Sequence, residues 1–258
     1  MKHSFIDRYS DGTSLIHRLD PRTKLTAVFL FILAVSLTSP SMWPAFVAYF
    51  TVVAVLIALS RVPILYILKR SLVIIPFVLL IAVFMPFFRE GEVAGSFSIW
   101  GWHVNVTYSG LQVLWSVLAK AWLSILGLIL LTSTTPMASL LKGLEQLRLP
   151  RLMVMILSFM YRYIFVLYDE VLRMKQARDS RNFGGKRLWQ IKTIGKMTGT
   201  LFIRSYERGE RVYAAMLSRG YDGQSRTLSQ PGFGLPDLYF GLCFGAAIIT
   251  TCVINFLY

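Results

Sequence analysis

Apolar residues fill five stretches of the chain, 25–38, 45–59, 71–88, 111–131 and 238–257, and a sixth at 152–168, while charge gathers between them. An apolar stretch of about 20 residues is the length of a helix that crosses a bilayer. The first two are shorter, so flanking residues must extend them or the membrane must thin around them. Between them, Ser39-Pro40-Ser41-Met42-Trp43-Pro44 reads as a turn with an interfacial tryptophan, which makes the pair a helical hairpin. Pro76 and Pro86 are expected to kink or end the third stretch. Segment 89–109 differs in texture. It holds Glu90, Glu92, three glycines and the alternation Phe97-Ser98-Ile99-Trp100-Gly101-Trp102-His103-Val104-Asn105-Val106, which predicts a small strand-like excursion on the outer side of a membrane.

The first helix has a defined start. Asp20 is placed as its N-cap and Pro21 as its first residue, a pairing that satisfies orphan amides and presets the backbone angle. Arg22 and Lys24 then oppose the helix dipole, which makes sense if they reach anionic headgroups on the cytoplasmic side. Lys120 sits near the middle of the fourth stretch. A lysine there costs about 2.5 to 3.5 kcal/mol on insertion scales, so it must face protein or water. It is a candidate intramembrane contact with another subunit, or a lysine packed between this chain's own helices.

Composition fixes the class. Of 258 residues, 55% are hydrophobic and 16% charged, more apolar surface than one soluble core of this size buries. The chain is expected to be an all-α integral membrane protein with about five transmembrane helices and a cytoplasmic helical unit containing two long helices. A net charge of +14 beside apolar runs of membrane length is explained by lipid headgroups and the positive-inside rule; membrane lipids are expected partners and nucleic acid is not. Cys243 and Cys252 lie together in the last apolar run, where they act as small hydrophobes. The N-terminal segment has no apolar core, so no cleavable signal peptide is expected.

Charge placement divides the chain. Of 27 basic and 13 acidic residues, 17 and 7 lie within 136–226. This predicts three parts: a four-span membrane part at 1–134, coupling helices at the cytoplasmic face and membrane interface at 135–226, and a linker with a last span at 227–258. The middle part opens with a short helix through Leu140, Leu141, Leu144 and Leu147 that stops at Pro150. If four spans begin inside, residue 131 also ends inside. A crossing at 152–168 would then carry the most basic segment outside, against the positive-inside rule. Residues 151–180 are therefore expected to form one long helix, its first half in or under the membrane and its second in the cytoplasm. Asn182-Phe183-Gly184-Gly185 breaks it. A second helix from about Arg187 to Arg219 places Ile191, Ile194, Thr198, Leu201, Phe202, Ser205, Val212 and Met216 on one face, to pack on its neighbour or sink into the membrane interface. This arrangement puts the N-terminus in the cytoplasm and the C-terminus outside.

Both long helices end in a similar way, with Ala177-Arg178-Asp179-Ser180-Arg181 before one glycine break and Leu217-Ser218-Arg219-Gly220 at the other. A cation in a last turn followed by glycine is accounted for by capping alone. Two such arginines on helices leaving a membrane also supply two rigid forks for carboxylates or carbonyls of another protein.

His17-Arg18-Leu19-Asp20-Pro21-Arg22-Thr23-Lys24-Leu25, Asp169-Glu170-Val171-Leu172-Arg173-Met174-Lys175-Gln176-Ala177-Arg178 and Ala215-Met216-Leu217-Ser218-Arg219-Gly220-Tyr221-Asp222-Gly223 together resemble the CbiQ family. This is the transmembrane T component (EcfT-like) of energy-coupling-factor ABC importers, in its cobalt and nickel branch. The resemblance implies five spans and two X-Arg-X motifs that dock into cytoplasmic ATPases. Carried over, these are Ala177-Arg178-Asp179 and Ser218-Arg219-Gly220, with Arg181 and Tyr221 as candidates for coupling support. The first motif has Asp179 where the family more commonly has glycine. The implied partners are a CbiO-like ABC ATPase dimer, which carries the ATP and magnesium, and a CbiM-like membrane substrate-binding subunit, with a CbiN-like small subunit as a further candidate.

A non-catalytic role fits what the sequence lacks. There is no Gly-x-x-x-x-Gly-Lys-[Ser/Thr] loop, and Gly184-Gly185-Lys186-Arg187 has neither its spacing nor its hydroxyl. His3, His17 and His103 are scattered, so no cofactor or metal is expected on this chain. The competing reading is a stand-alone secondary transporter or channel, which calls for repeats and charges converging at the bilayer midplane.

Overall fold

The computed structural model describes residues 12, 14–84, 93–99, 102–181, 187–223, 232 and 234–257. The elements in chain order are α1 (Pro21–Leu37), α2 (Trp43–Ser60), α3 (Ile64–Leu72), α4 (Ile75–Ala82), β1 (Val93–Ile99), β2 (Trp102–Thr107), α5 (Tyr108–Thr134), α6 (Met137–Gln146), α7 (Arg151–Asp179), α8 (Arg187–Leu217) and α9 (Leu235–Leu257). The fold is that of an all-α membrane protein carrying one short hairpin. Helices α2, α5 and α7 and the Leu235–Val253 part of α9 are each long and apolar enough to cross a bilayer. Helices α3 and α4 form a further candidate span bent by 40°. The bend falls at Val73 and Ile74, where Pro76 in the first turn of α4 supplies no amide to the turn before it. Pro86 lies outside the described residues.

Helix α1 starts where its sequence dictates. The Asp20 carboxylate accepts the Arg22 amide at 2.9 Å, and Pro21 occupies the first helical position. The alternation over 97–106 folds as an antiparallel hairpin, with Ile99 opposite Trp102, Val93 opposite Thr107, and a bulge between Val93 and Gly95. Glu90 and Glu92 lie outside the described residues, as do the Gly184–Gly185 break and most of the 224–236 link.

Two compact units emerge, one from residues within Lys2–Leu147 and Pro231–Tyr258, the other from residues within Arg148–Gln230. In the first, α5 is the central helix, packed by α1, α2, α3 and α4, while α9 lies against α1 and α2. Its core joins Phe31 and Val35 of α1, Tyr49 and Val53 of α2, Leu123 and Leu126 of α5, and Phe244 of α9. Phe31 meets Tyr49 edge to face, with centroids 5.8 Å apart, a favoured aromatic geometry.

Helix α6 belongs to this unit, so the boundary lies at Leu147 and not at residue 135, where charge counting puts it. The cause is packing: Leu140 and Leu141 are buried, and Gly143 brings α6 so near α1 that a Cβ there would lie 2.9 Å from the Leu25 side chain. A count of charges does not register a close approach of two backbones.

Candidate coupling site

In the unit of residues 148–230, α7 runs unbroken from Arg151 to Asp179 and α8 from Arg187 to Leu217. Half-buried positions on α8 recur at Thr193, Met197, Leu201, Ser205, Arg208, Val212 and Met216, the period of one helical face. A cavity of about 330 Å³ lies between the helices, lined among others by Phe159, Tyr163, Val212 and Met216. Arg204 and Glu170 bridge them at 2.5 Å. The sequence-predicted face of α8 is thus only partly the packed one. Leu201, Ser205, Val212 and Met216 belong to it, whereas Ile191, Ile194 and Phe202 are exposed, Phe202 by 71%. On α7, Ile156, Met160 and Ile164 form a second exposed apolar row. Periodicity finds apolar residues, and it cannot say which of two adjacent stripes meets the neighbouring helix.

The two arginine-bearing ends differ in detail. Helix α8 closes in a Schellman motif: the Tyr221 amide donates to the Met216 carbonyl at 3.1 Å and the Gly220 amide to the Leu217 carbonyl at 3.0 Å, with Gly220 at φ +76°. Arg219 is exposed at that turn, and no ion pair involves it among the described residues. The Tyr221 hydroxyl contacts the Met155 sulfur of α7, so the residue after the motif is tied back to the neighbouring helix. At the end of α7, Arg178 donates from Nε at 2.9 Å and Nη2 at 2.7 Å to the same Asp179 carboxylate oxygen. Arg181 is exposed in the turn that follows, its amide bonded to the Arg178 carbonyl. Ser180 and Ser218 each turn their hydroxyl back three residues, to the carbonyls of Ala177 and Ala215. Each end therefore offers a guanidinium on a closed turn, Arg219 in no ion pair among the described residues and Arg178 held by its own neighbour.

Lys120 in the membrane unit donates to the Ser36 carbonyl at 2.9 Å, a contact within this chain. Lys24 does not reach outward to headgroups. Only 4% exposed, it donates to the carbonyls of His17 and Thr134 and to the Thr135 hydroxyl, each at 3.2 Å. The Thr134 carbonyl at the end of α5 has no partner within its own helix, and an ammonium in reach of it is worth more than one in water. Asp237, in the first turn of α9, is the residue that sequence reasoning passes over. Its carboxylate accepts the Asp20 amide at 2.7 Å and the Gly234 amide at 2.9 Å. A lone acid at a helix start was the available signal, but its partner lies 217 positions away. Among the described residues no group of three or more His, Cys, Asp or Glu side chains is placed to hold a metal ion.

Residues 12–229 match the family described as CbiQ, cobalt transport protein. The chain is 32% identical to the energy-coupling factor transporter transmembrane protein EcfT of Bacillus subtilis, over 86% of each chain. It is 29% identical to an uncharacterised protein of Methanocaldococcus jannaschii, over 98% of this chain and 86% of that one. A protein of Methanocorpusculum labreanum whose name describes a fused cobalt transport protein, CbiMQ, is 31% identical over 82% of this chain and 37% of its own length.

Proposed function

The chain belongs to the CbiQ family, the transmembrane component of energy-coupling-factor transporters, and from that premise we propose that it is the coupling subunit of an ATP-driven importer for cobalt or nickel ions. The observation that carries the reading is the pair of helix ends in one unit, Ala177-Arg178-Asp179 and Ser218-Arg219-Gly220, each presenting a guanidinium on a capped turn. A guanidinium at a helix end is a rigid multi-donor fork that suits a groove lined with carboxylates or carbonyls. The partner that receives the two arginines is a CbiO-like ABC ATPase dimer, which holds ATP and magnesium and hydrolyses the nucleotide. The exposed apolar rows on α7 and α8 suit lipid and a CbiM-like substrate-binding subunit, with a CbiN-like small subunit beside it. The CbiMQ name, which joins two such components in one polypeptide, supports that partner. The N-terminus then lies in the cytoplasm and the C-terminus outside.

In this mechanism the chain moves no electrons and forms no bonds. Nucleotide-driven closure of the ATPases brings their grooves together, the arginine-tipped helices follow, and the substrate-binding subunit packed against them shifts. Such transmission requires contacts that differ between two states of the ATPase pair. The test is Arg178→Ala/Arg219→Ala in the whole complex. Loss of ATPase co-purification, or of cobalt uptake in its presence, is expected; full complex yield with normal uptake would falsify the assignment. ATP-independent cobalt uptake by the purified chain alone in liposomes would instead make it a stand-alone transporter.

A further inference from the structure

The unit of residues 148–230 is joined to the membrane helices by chain at two places, after Leu147 and before Pro231. The described segments that flank these two places, α6 and the start of α9, both contact one turn of α1. On the first side, α6 lies on α1 with Gly143 against Pro21 and Leu25, and Arg22 donates from Nε to the Gln146 side-chain oxygen at the last residue of α6. Just upstream, the junction from α5 to α6 is held by Lys24, through the Thr134 carbonyl and the Thr135 hydroxyl. On the second side, Asp237 at the start of α9 accepts from the Asp20 amide and, at 3.3 Å, from the Thr23 hydroxyl. Residues 20–24 thus touch the segment that leads into the unit and the segment that leads out of it.

The chemistry of this joint is unusual for a packing contact. Asp20, Lys24 and Asp237 are 3%, 4% and 5% exposed, so two carboxylates and an ammonium are withdrawn from water together. One Asp20 oxygen, Oδ2, has no hydrogen-bond partner among the described residues. Buried ionic groups of this kind are a poor source of stability, since well-packed apolar residues commonly do as well or better. What the directional bonds of such a joint give is a preference for one arrangement over several. Apolar packing between α1, α6 and α9 would permit sliding, whereas directional bonds to a capped helix start do not.

We propose that the first turn of α1 is the fixed anchor of the coupling unit, with Asp20, Lys24 and Asp237 as positioning residues that hold the segments flanking it in sequence while the Arg178-bearing end of α7, opposite the Met155 end where the Arg219 turn sits, moves. This rests on the coupling reading above. An anchor matters because displacement at one end of a long helix moves its target only if the other end does not yield. Releasing the anchor leaves ATPase docking and ATP hydrolysis in place and dissipates the motion.

The experiment uses the whole complex in proteoliposomes and reads cobalt(II) or nickel(II) uptake per ATP hydrolysed. With Asp237→Ala, and separately with Gly143→Ala, the ATPases are expected to co-purify and hydrolyse ATP while uptake per ATP falls roughly fivefold or more. An unchanged ratio in an assembled variant overturns the anchor, and a purely structural role would lower complex yield without moving the ratio. A second arm keeps the idea testable where those variants do not accumulate. In Pro21→Cys/Gly143→Cys, a Cβ at residue 143 would lie 3.1 Å from that of residue 21, near the range a disulfide spans. An immobile joint tolerates being welded, so oxidation should leave uptake as it is in the same preparation reduced. Arrest of uptake on oxidation, with hydrolysis continuing, shows that the joint opens and overturns the proposal. Absence of ATP-driven uptake of either ion by the unaltered complex counts against the coupling reading and removes the anchor with it.

Discussion

The Lys120 ammonium on α5 lies 2.9 Å from the carbonyl oxygen of Ser36, in the last turn of α1. The relation is reciprocated at the opposite end of the same helix pair, where Lys24 of α1 reaches the carbonyl of Thr134, the last residue of α5. Each helix thus closes the C-terminal end of the other. Carbonyls in a last turn lack intrahelical partners, and a cation near that end also meets the negative pole of the helix dipole.

Lys120→Met should therefore lower the thermal stability of the purified chain by about 1 kcal/mol, in line with polar contacts between membrane helices. Complex assembly and uptake should persist. Unaltered unfolding in detergent together with failure to bind the substrate subunit would instead make Lys120 a contact with that subunit.

Lys24→Met is a harsher change. It leaves three acceptors without their donor and removes the positive charge that acts on the buried Asp20 and Asp237, and each buried polar group left unsatisfied costs on the order of 1 to 3 kcal/mol. The chain should fail to accumulate in membranes. Quantitative blotting against Lys120→Met gives the comparison, and equal levels for the two variants would contradict the buried placement.

Asp179 holds Arg178 before any partner arrives. An exposed pair of this kind is worth about 0.2 to 1 kcal/mol, which docking must give up. Asp179→Ala should tighten ATPase association by a small factor, roughly 1.4- to 5-fold, without altering membrane levels. Titration of ATPase onto the solubilised variant reads this directly, and weaker association would mean that Asp179 itself contacts the ATPase.

Gly220 has φ +76° with nothing within 4 Å of where a Cβ would stand. Gly220→Ala thus meets no steric clash with other side chains and carries only the left-handed backbone cost of roughly 1 to 2 kcal/mol. Fraying of the turn that presents Arg219 should weaken ATPase binding while leaving the membrane unit unchanged. Hydrogen exchange at 217–221 should rise in the variant, and protection equal to the unaltered chain would show that the Schellman motif does not set the geometry of that turn.

Much of the fold is legible in residue order because the local chemistry is strong. Asp20-Pro21 fixes the start of α1, apolar runs mark the long helices, alternation marks the hairpin, and Arg219-Gly220 marks the end of α8. The first bend was readable from Pro76, whose missing amide acts within one turn. The three fragments that resemble the CbiQ family were legible for the same reason, each being a continuous run of residues.

Contacts between distant segments were not readable in this way. Lys24 looks in sequence like a headgroup anchor, yet only the packing of α1 against the α5–α6 junction turns it inward. Asp237 is a lone acid until α9 is laid beside α1. The exposed Ile191, Ile194 and Phe202 share a period with the packed row of α8 and are separated from it only by the position of α7. Sequence by itself determined the class, the helices, their caps and the two arginine-bearing ends, since these depend on neighbours within a turn or two. Tertiary structure alone decided which buried polar groups meet, because a carboxylate and an amide 217 residues apart are brought together only when whole helices pack.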